Sequence, residues 1–397
     1  MKAVAFDYFC RKLNMKKNII YVLFCFLAFV SACGEDDTSD SQPTDSYDRG
    51  ALLLNWADNI IIPRYDNFAT SLNTLVTTSQ SFADSPSSAT LEEVRASWLT
   101  AYSAFQKVSM FEIGRAETLN YRNRLNVYPT NTSEIDVYIS SNTWNLELPS
   151  TIDSQGFPAL DYLLYGLGTD QETLDKYTTD ENASSYTMYL LDLVTTMQTL
   201  TNEVISDWEN GYRETYITNT SSSSSGAVDQ TVNAFMFYYE KALRAGKVGI
   251  PAGVFSGSTL PQNVESYYNQ FVSKLLLTQA LSATVSFFNG EGFSSDFPGN
   301  GFGLNTYLDT LGSVKNIDID GDGILEETNL STIINNQFVV AFESINLLQE
   351  NFVQQIADDN TKMLGAYDEL QRNVILMKVD MFQALSIDVT YVDADGD

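Results

Sequence analysis

Histidine is absent from all 397 residues of the sequence. The imidazole group is the usual general base near neutral pH, the partner of a catalytic serine and a common ligand of zinc. Its absence therefore excludes a Ser-His-Asp triad and a histidine-bound zinc. Any metal site has to use oxygen ligands, which favour calcium, magnesium, manganese or ferric iron.

Cysteine is almost as scarce, because the chain has three: Cys10, Cys25 and Cys33. We expect the first two to leave with an N-terminal signal and the third to carry lipid. The mature protein would then have no free thiol and no disulfide. Its stability has to come from a buried core, and roughly 350 residues suffice for two domains of ordinary size.

Positive charge is scarce too, with 22 Lys and Arg against 51 Asp and Glu and a formal net charge of −29. Removal of residues 1–32 would take away five basic residues and one acidic residue, which brings the charge to about −33. Such a surface repels nucleic acid and anionic lipid. It would attract cations or basic partners, although a solvated acidic surface without a partner explains the same composition.

Residues 15–33 have the arrangement of an export signal. Lys16 and Lys17 precede an apolar run over residues 19–30, which is shorter than the about 20 apolar residues of a membrane-spanning helix. The ending Val30-Ser31-Ala32-Cys33 resembles a bacterial lipobox, whose cysteine is acylated. We predict a signal peptide over residues 1–32, a true start at Met15 and a lipid anchor on Cys33. A plain signal peptide with an incidental cysteine is the alternative.

Residues 33–48 are polar and acidic, and they predict a lipidated tether without a core. Acidic residues directly after the lipidated cysteine resemble the surface-export signal of lipoproteins in some Gram-negative phyla. We therefore expect the protein in the cell envelope, anchored to the outer membrane by its lipid, with display on the cell surface left open.

From Leu52 onward, apolar residues recur at spacings of three and four, which predicts an all-α fold of packed helices. A capping box from Thr90 to Glu93 predicts a helix start, and Gly114 a helix end. The six longest apolar stripes cover residues 94–105, 186–208, 228–242, 264–288, 338–356 and 367–385.

The serine-rich stretch at residues 219–226 divides these stripes into two groups. We predict two helical domains, each resembling a four-helix bundle, at residues 49–222 and 223–397. A long surface loop inside one domain is the alternative.

The most specific segment runs from Gly156 to Gly166. Pro158 suits the first turn of a helix, and Asp161 would then lie near its positive N-terminal end. The leucines at positions 160, 163 and 164 would face a core.

This segment resembles the imelysin-like family, whose motif Gly-x-His-x-x-Glu precedes an aromatic-leucine-leucine-aromatic-glycine stretch. Gly156 matches the glycine, Pro158 stands where the histidine would be, and Asp161 replaces the glutamate. Further segments also resemble the family, and together they span nearly the whole mature chain: residues 60–65, 98–115, 127–129, 135–136, 247–251 and 389–397.

The resemblance implies a two-domain, all-helical protein, each half a four-helix bundle, with the motif near the domain junction. It also implies a connection with bacterial iron uptake or regulation, and some members carry a metallopeptidase label. That label transfers poorly, because a metallopeptidase needs ligands for its ion and a base for its water, and this chain has lost the histidine.

Asp161 would then be an acid in a pocket, with Glu112, Arg115 and Tyr162 nearby. The alternative is that Asp161 caps or pairs with a neighbouring helix.

A second acidic segment at residues 316–327 predicts a calcium loop of the EF-hand kind. Asp318, Asp320, Asp322 and Glu327 would be its ligands, but neither register of the twelve-residue pattern is complete. A solvated acidic turn between two helices is the alternative.

The sequence therefore predicts a non-catalytic envelope lipoprotein that binds a metal, a small ligand or an envelope protein in metal acquisition, with iron or another oxygen-ligated metal as a candidate. Two alternatives stay open: a residual metal-dependent peptidase or hydrolase with carboxylate ligands, and a structural or interaction module on the cell surface. Nucleic acid is not expected as a partner.

Overall fold

The computed structural model of the protein describes residues 46–318 and 323–391. The predicted signal, the lipidation site Cys33 and the tether up to residue 45 lie outside these ranges. Two of the predicted calcium ligands, Asp320 and Asp322, also lie outside them.

The first half of the described chain is a series of helices joined by short turns. A π-helical segment, Asn55–Ile61, links the first two helices, and another, Trp208–Tyr212, links the last two. A 3-10 turn, Pro149–Ser154, precedes the seventh. The helices are α1 (Arg49–Leu54), α2 (Ile62–Asp84), α3 (Ser88–Phe105), α4 (Arg115–Leu119), α5 (Tyr121–Leu125), α6 (Thr132–Ser141), α7 (Gly156–Tyr165), α8 (Asp170–Thr178), α9 (Ala183–Asp207) and α10 (Arg213–Thr218).

The second half has fewer and longer helices. Its π-helical segments are Tyr238–Gly249 and Leu376–Met381, and its 3-10 turns are Pro261–Asn263 and Gln270–Val272. The helices are α11 (Ala227–Phe237), α12 (Ser273–Phe288), α13 (Leu304–Thr310), α14 (Leu330–Asn346), α15 (Phe352–Ile375) and α16 (Phe382–Leu385).

The long helices pack in two groups, because each has one apolar face to bury. Helix α2 packs against α3 and α9 in the first group, and α15 packs against α14 and the segment Tyr238–Gly249 in the second. Large aromatic side chains such as Trp56, Trp98 and Tyr239 are fully buried. The all-α prediction is confirmed. The described residues from Ser46 onward form one compact unit, and the division into two domains at residue 222 stays a prediction.

The helix start predicted from the capping box at Thr90–Glu93 is wrong by a few residues. Helix α3 is capped by Ser87, whose hydroxyl accepts the N–H of Thr90, while the Thr90 hydroxyl accepts the N–H of Ser87. The predicted end at Gly114 is wrong as well, because α3 ends at Phe105 and Gly114 instead precedes α4.

Two of the six predicted stripes are interrupted. The stripe at residues 264–288 is helical only from the 3-10 turn at Gln270 onward, because Ser266 has a φ of +58°. The stripe at residues 338–356 is divided between α14 and α15 by a break at residues 347–351.

The described ends of the acidic segment belong to two short paired strands. Strands β1 (Val314–Ile317) and β2 (Glu326–Asn329) are antiparallel, with Asn316 opposite Glu327. Helix α13 ends at Thr310 and α14 begins at Leu330, so the strands lie between two helices, and both the calcium loop and the solvated acidic turn stay predictions.

The stretch Gln270–Phe288 meets the length and hydropathy of a membrane-crossing helix, but 56% of it is buried inside the fold. A core helix passes the same test, and α12 packs against α14. Among the described residues, no other helix meets the test.

Candidate functional site

The motif segment forms α7, and its first residue has to be glycine. Gly156 has a φ of +77°, and a Cβ atom there would lie 2.2 Å from the carbonyl oxygen of Leu125. Pro158 lies in the first turn, as predicted. Leu160 and the two later leucines of the helix are fully buried, also as predicted. The close approach to the end of α5 fixes the direction of α7.

Both carboxylate oxygens of Asp161 are engaged by one short loop. Oδ1 accepts hydrogen bonds from the Ser266 hydroxyl (3.2 Å) and the Asn269 N–H (3.0 Å). Oδ2 accepts one from the Tyr268 N–H (2.8 Å). Asp161 is 1% exposed, and its burial raises the pKa to about 7, although the three hydrogen bonds lower it. The side chain therefore joins α7 to the loop, which we call the 265–269 loop.

A buried charge pair holds the 265–269 loop from its other side. Nζ of Lys247 donates hydrogen bonds to Oε2 of Glu265 and, at 2.8 Å, to Oε1 of Gln106. Oε1 of Glu265 accepts from Nδ2 of Asn126 (2.8 Å) and from the Tyr102 hydroxyl (3.1 Å). The Lys247 and Glu265 side chains are 3% and 2% exposed, and burial lowers the pKa of Lys247. Loss of either partner would leave an uncompensated buried charge.

A cavity of about 260 Å³ lies beside this pair, and we call it the lysine cavity. Part of its wall is the π-helical segment Tyr238–Gly249, whose wider turn brings residues four and five apart, such as Lys241 and Gly246, onto one face. Arg122 also lines it, with its guanidinium 5.1 Å from the centre of the Phe237 ring. The wall is therefore aromatic and cationic.

A smaller cavity of about 140 Å³ lies at the motif itself. Pro158 and Asp161 both line it, together with Ser266 and Tyr268 of the loop that binds the carboxylate. Tyr128 lines this cavity and the lysine cavity alike. The position where a related motif has histidine thus borders this cavity, and in this chain it contributes a proline ring.

The structure does not bring Tyr162 and Arg115 together with Asp161. The Tyr162 hydroxyl donates a hydrogen bond to Oδ1 of Asp136 at 2.9 Å. Arg115 forms an exposed ion pair with Glu203 at 2.6 Å.

Glu112 faces another part of the molecule. It pairs with Arg122 at 3.5 Å, and its burial raises its pKa. It lines a third cavity of about 410 Å³, near Tyr391. A shared pocket of these residues with Asp161 is therefore not seen, and their roles in binding stay predictions.

The predicted calcium loop is described only in part. Oδ2 of Asp318 accepts the N–H of Gly323 at 3.0 Å, and Glu327 lies in β2. No group of three or more Asp, Glu or Cys side chains within residues 46–318 and 323–391 is arranged to hold a metal ion. Calcium binding stays a prediction.

Sequence reasoning missed Lys247, Glu265, Gln106 and Asn126 as a group. Residues 247–251 stood out only as a landmark of the family, and nothing in their spacing indicated a buried lysine. One feature of the sequence could have indicated them. Basic residues are rare in this chain, and a lysine between non-polar residues needs an acidic partner if it is buried.

Comparison with known families gives one match over most of the described chain. The family model described as Imelysin (Peptidase_M75) matches residues 61–295, which include α2 to α12 and the 265–269 loop. A search of curated proteins finds no match.

Two solved structures share the fold. An imelysin-like protein from Psychrobacter arcticum 273-4 has a TM-score of 0.65 and 17% identity. A protein from Parabacteroides distasonis ATCC 8503, named iron-regulated protein A precursor, has a TM-score of 0.66 and 16% identity. Each alignment covers 86% of this chain and 97% of the other. At these identities the likeness shows the fold alone.

Proposed function

The chain belongs to the imelysin family, and on that premise we propose that it is a non-catalytic, lipid-anchored binding protein of the cell envelope that takes part in iron acquisition. The name of the Parabacteroides distasonis protein supports the connection with iron. The signal at residues 15–33 and the acidic tether after Cys33 support the envelope, the outer membrane and the lipid anchor.

The observation that carries the non-catalytic role is the state of Asp161. A general base needs an oxygen within reach of the proton that it removes, and a metal ligand needs a free lone pair directed at the ion. Both oxygens of Asp161 already accept hydrogen bonds from the 265–269 loop. Pro158, in the histidine position, has no side-chain donor or acceptor. On this proposal the two motif positions have a structural role, in which Asp161 fixes the 265–269 loop to α7.

The lysine cavity supports the binding role. The lysine cavity lies beside the Lys247–Glu265 pair, and it is lined by groups from the motif half and from the Tyr238–Gly249 segment. Binding sites are concave, mainly apolar and furnished with a few fixed polar groups. The lysine cavity has this character, and the rigid charge pair would preorganise it.

The experiment uses the full lipidated protein, extracted in detergent from envelopes of iron-limited cells without chelators. Native mass spectrometry and metal analysis would reveal a bound small molecule or ion, and incubation with casein would reveal proteolysis. We expect a bound ligand and no cleavage. Casein cleavage that Asp161→Asn abolishes, and that the exposed-site control Asp175→Asn retains, would overturn the proposal in favour of a residual hydrolase.

A further inference from the structure

The lysine cavity stands out because of the sign of its charge. Arg122, Lys241 and Lys247 line it, and none of the described residues in its wall is Asp or Glu. The whole chain has more than twice as many acidic as basic residues, 51 against 22. The charged side chains of the cavity wall are therefore all cationic, whereas the chain as a whole is strongly acidic.

The carboxylates that balance these cations lie behind the wall. Glu112 pairs with Arg122 at 3.5 Å, Glu240 with Lys241 at 3.3 Å, and Glu265 with Lys247. None of the three carboxylates lines the cavity. They hold the cationic side chains in position, since a buried charge needs a partner.

Glu240 itself is surrounded by more than one cation. Lys378 approaches it at 3.0 Å and Arg244 at 3.7 Å, in addition to Lys241. The Glu240 side chain is 2% exposed, so solvent screens this cluster weakly. Three cationic side chains therefore lie within 3.7 Å of this one buried carboxylate, and one of them, Lys241, lines the cavity.

The rest of the wall offers an apolar surface and one unused polar group. Tyr128, Phe237 and Tyr238 contribute aromatic rings. The Tyr238 hydroxyl is buried without a hydrogen-bond partner, and burial raises its pKa, although the nearby Ser109 side chain offsets part of this shift. A buried polar group without a partner is costly.

We propose that the lysine cavity binds a small organic anion that carries more than one carboxylate. The carboxylates pair with Arg122, Lys241 and Lys247, and the carbon frame packs against the aromatic rings. The volume of about 260 Å³ is below the roughly 300–1,000 Å³ of sites for drug-sized molecules, so the ligand is small. This inference rests on the proposed binding function and names the class of its ligand.

Such an anion also suits the acquisition of iron, because ferric iron prefers oxygen ligands and polycarboxylates supply them. The anion enters either alone or as its ferric complex. Both sources present the same carboxylates to the wall, and the test treats them as separate arms.

The test is isothermal titration of the full detergent-solubilised protein with citrate, with ferric citrate, with the uncharged triethyl ester of citrate and with inorganic phosphate. We expect citrate to bind at micromolar concentrations, with affinity that falls as salt is raised, and the ester not to bind. Lys241→Met should weaken citrate binding about tenfold or more. The matched control Lys362→Met, an exposed lysine of α15 outside the cavity, should leave it unchanged.

Three results would overturn the inference: no heat with citrate or ferric citrate at millimolar concentration, equal affinity for citrate in wild type and Lys241→Met, or binding of phosphate as tight as that of citrate. Circular dichroism of Lys241→Met checks that it folds. If the variant does not fold, competition between the ester and citrate in wild type decides, because equal binding of the ester contradicts an anion site.

The arms separate this inference from the proposed function. Binding of citrate without binding of ferric citrate would support the anion site and count against the role in iron acquisition. A neutral or cationic small molecule that co-purifies, with no citrate binding, would support the binding function and overturn the anion site.

Discussion

Asp161 and Lys247 hold the same loop from opposite sides, although 86 positions separate them in the sequence. Asp161 binds the hydroxyl of Ser266 and two backbone N–H groups, and Lys247 binds the side chain of Glu265. The 265–269 loop is therefore fixed to the motif helix α7 and to the wall of the lysine cavity together. This arrangement gives the motif a structural role that does not need its histidine.

The pH dependence of stability should report on Asp161. Its pKa is about 7 in the folded protein, against an ordinary value of 3.8. Between about pH 4 and pH 7 the Asp161 carboxyl keeps its proton in the folded state and has lost it in the unfolded state. The stability that Asp161 contributes is therefore complete below about pH 4 and is lost as the pH rises to about 7. The shift corresponds to a few kcal/mol.

Urea unfolding of wild type and Asp161→Asn at pH 4.5, 6 and 7.5 measures this. The variant should be less stable at acid pH by about 1 to 3 kcal/mol. The reason is that the side-chain NH₂ group of the new asparagine would face the N–H of Tyr268, and two donors cannot form a hydrogen bond with each other. The difference should shrink as the pH rises. Ser266→Ala removes one donor to the carboxylate and should instead lose more stability above pH 7. A pH-independent difference for Asp161→Asn would contradict the raised pKa.

The buried pair of Lys247 and Glu265 should show strong coupling in a double-mutant cycle. Lys247→Met and Glu265→Gln should each cost about 3 to 5 kcal/mol of unfolding free energy, because each leaves a buried group without its partner. The double variant should cost less than the sum of the two. The exposed pair of Arg115 and Glu203 is the matched control, with an expected coupling below about 1 kcal/mol. Additive effects at Lys247 and Glu265 would show that the pair is not a unit.

Gly156→Ala should destabilise the protein by at least about 2 kcal/mol, since the added Cβ would meet the Leu125 carbonyl at a positive φ. Gly365→Ala is the control. A Cβ there meets no atom within 4 Å, and the position is inside α15, where alanine is favoured by up to about 1 kcal/mol. Thermal unfolding compares the two, and equal effects would contradict the close approach of α7 to α5.

Pro158→His returns the residue of the family motif to the small cavity beside Asp161. We expect no metal-dependent cleavage of casein, because the carboxylate oxygens of Asp161 stay bound to the 265–269 loop. Cleavage that appears on addition of zinc, and that Asp161→Asn removes, would show that only the histidine was missing. Calorimetry with zinc checks separately whether the new side chain binds metal.

The helices were predictable because a helix that buries one face has apolar residues at spacings of three and four. Residues 186–208 show this spacing, and they lie in α9 and at the start of the π-helical segment that follows it. The 265–269 loop was not predictable in this way, because Val264, Tyr268 and Phe271 also have the spacing of a helix. What decides there is a partner far along the chain: Asp161 competes for the N–H groups of Tyr268 and Asn269. Phe271 is 71% exposed, so its place in the stripe was coincidental.

The lysine cavity was unpredictable for a related reason. Part of its wall is a π-helix, and a search at the α-helical period does not reveal which residues share a face of this wider turn. The opposite wall comes from Arg122 and Asn126, more than 100 residues earlier. Likewise, Arg115 is close to Glu112 in sequence, but its partner is Glu203 on α9.

The serine-rich stretch at residues 219–226 looks like a natural place to divide the chain, but the hydrogen bonds of the 265–269 loop cross it. A fragment that ended at residue 222 would keep Asp161 and lose all three of its donors, and it would keep Gln106 and lose Lys247. Neither half would then contain a complete set of partners for its own buried polar groups. We therefore expect the two halves to gain stable structure only when they are present together, because each would otherwise leave buried polar groups without partners.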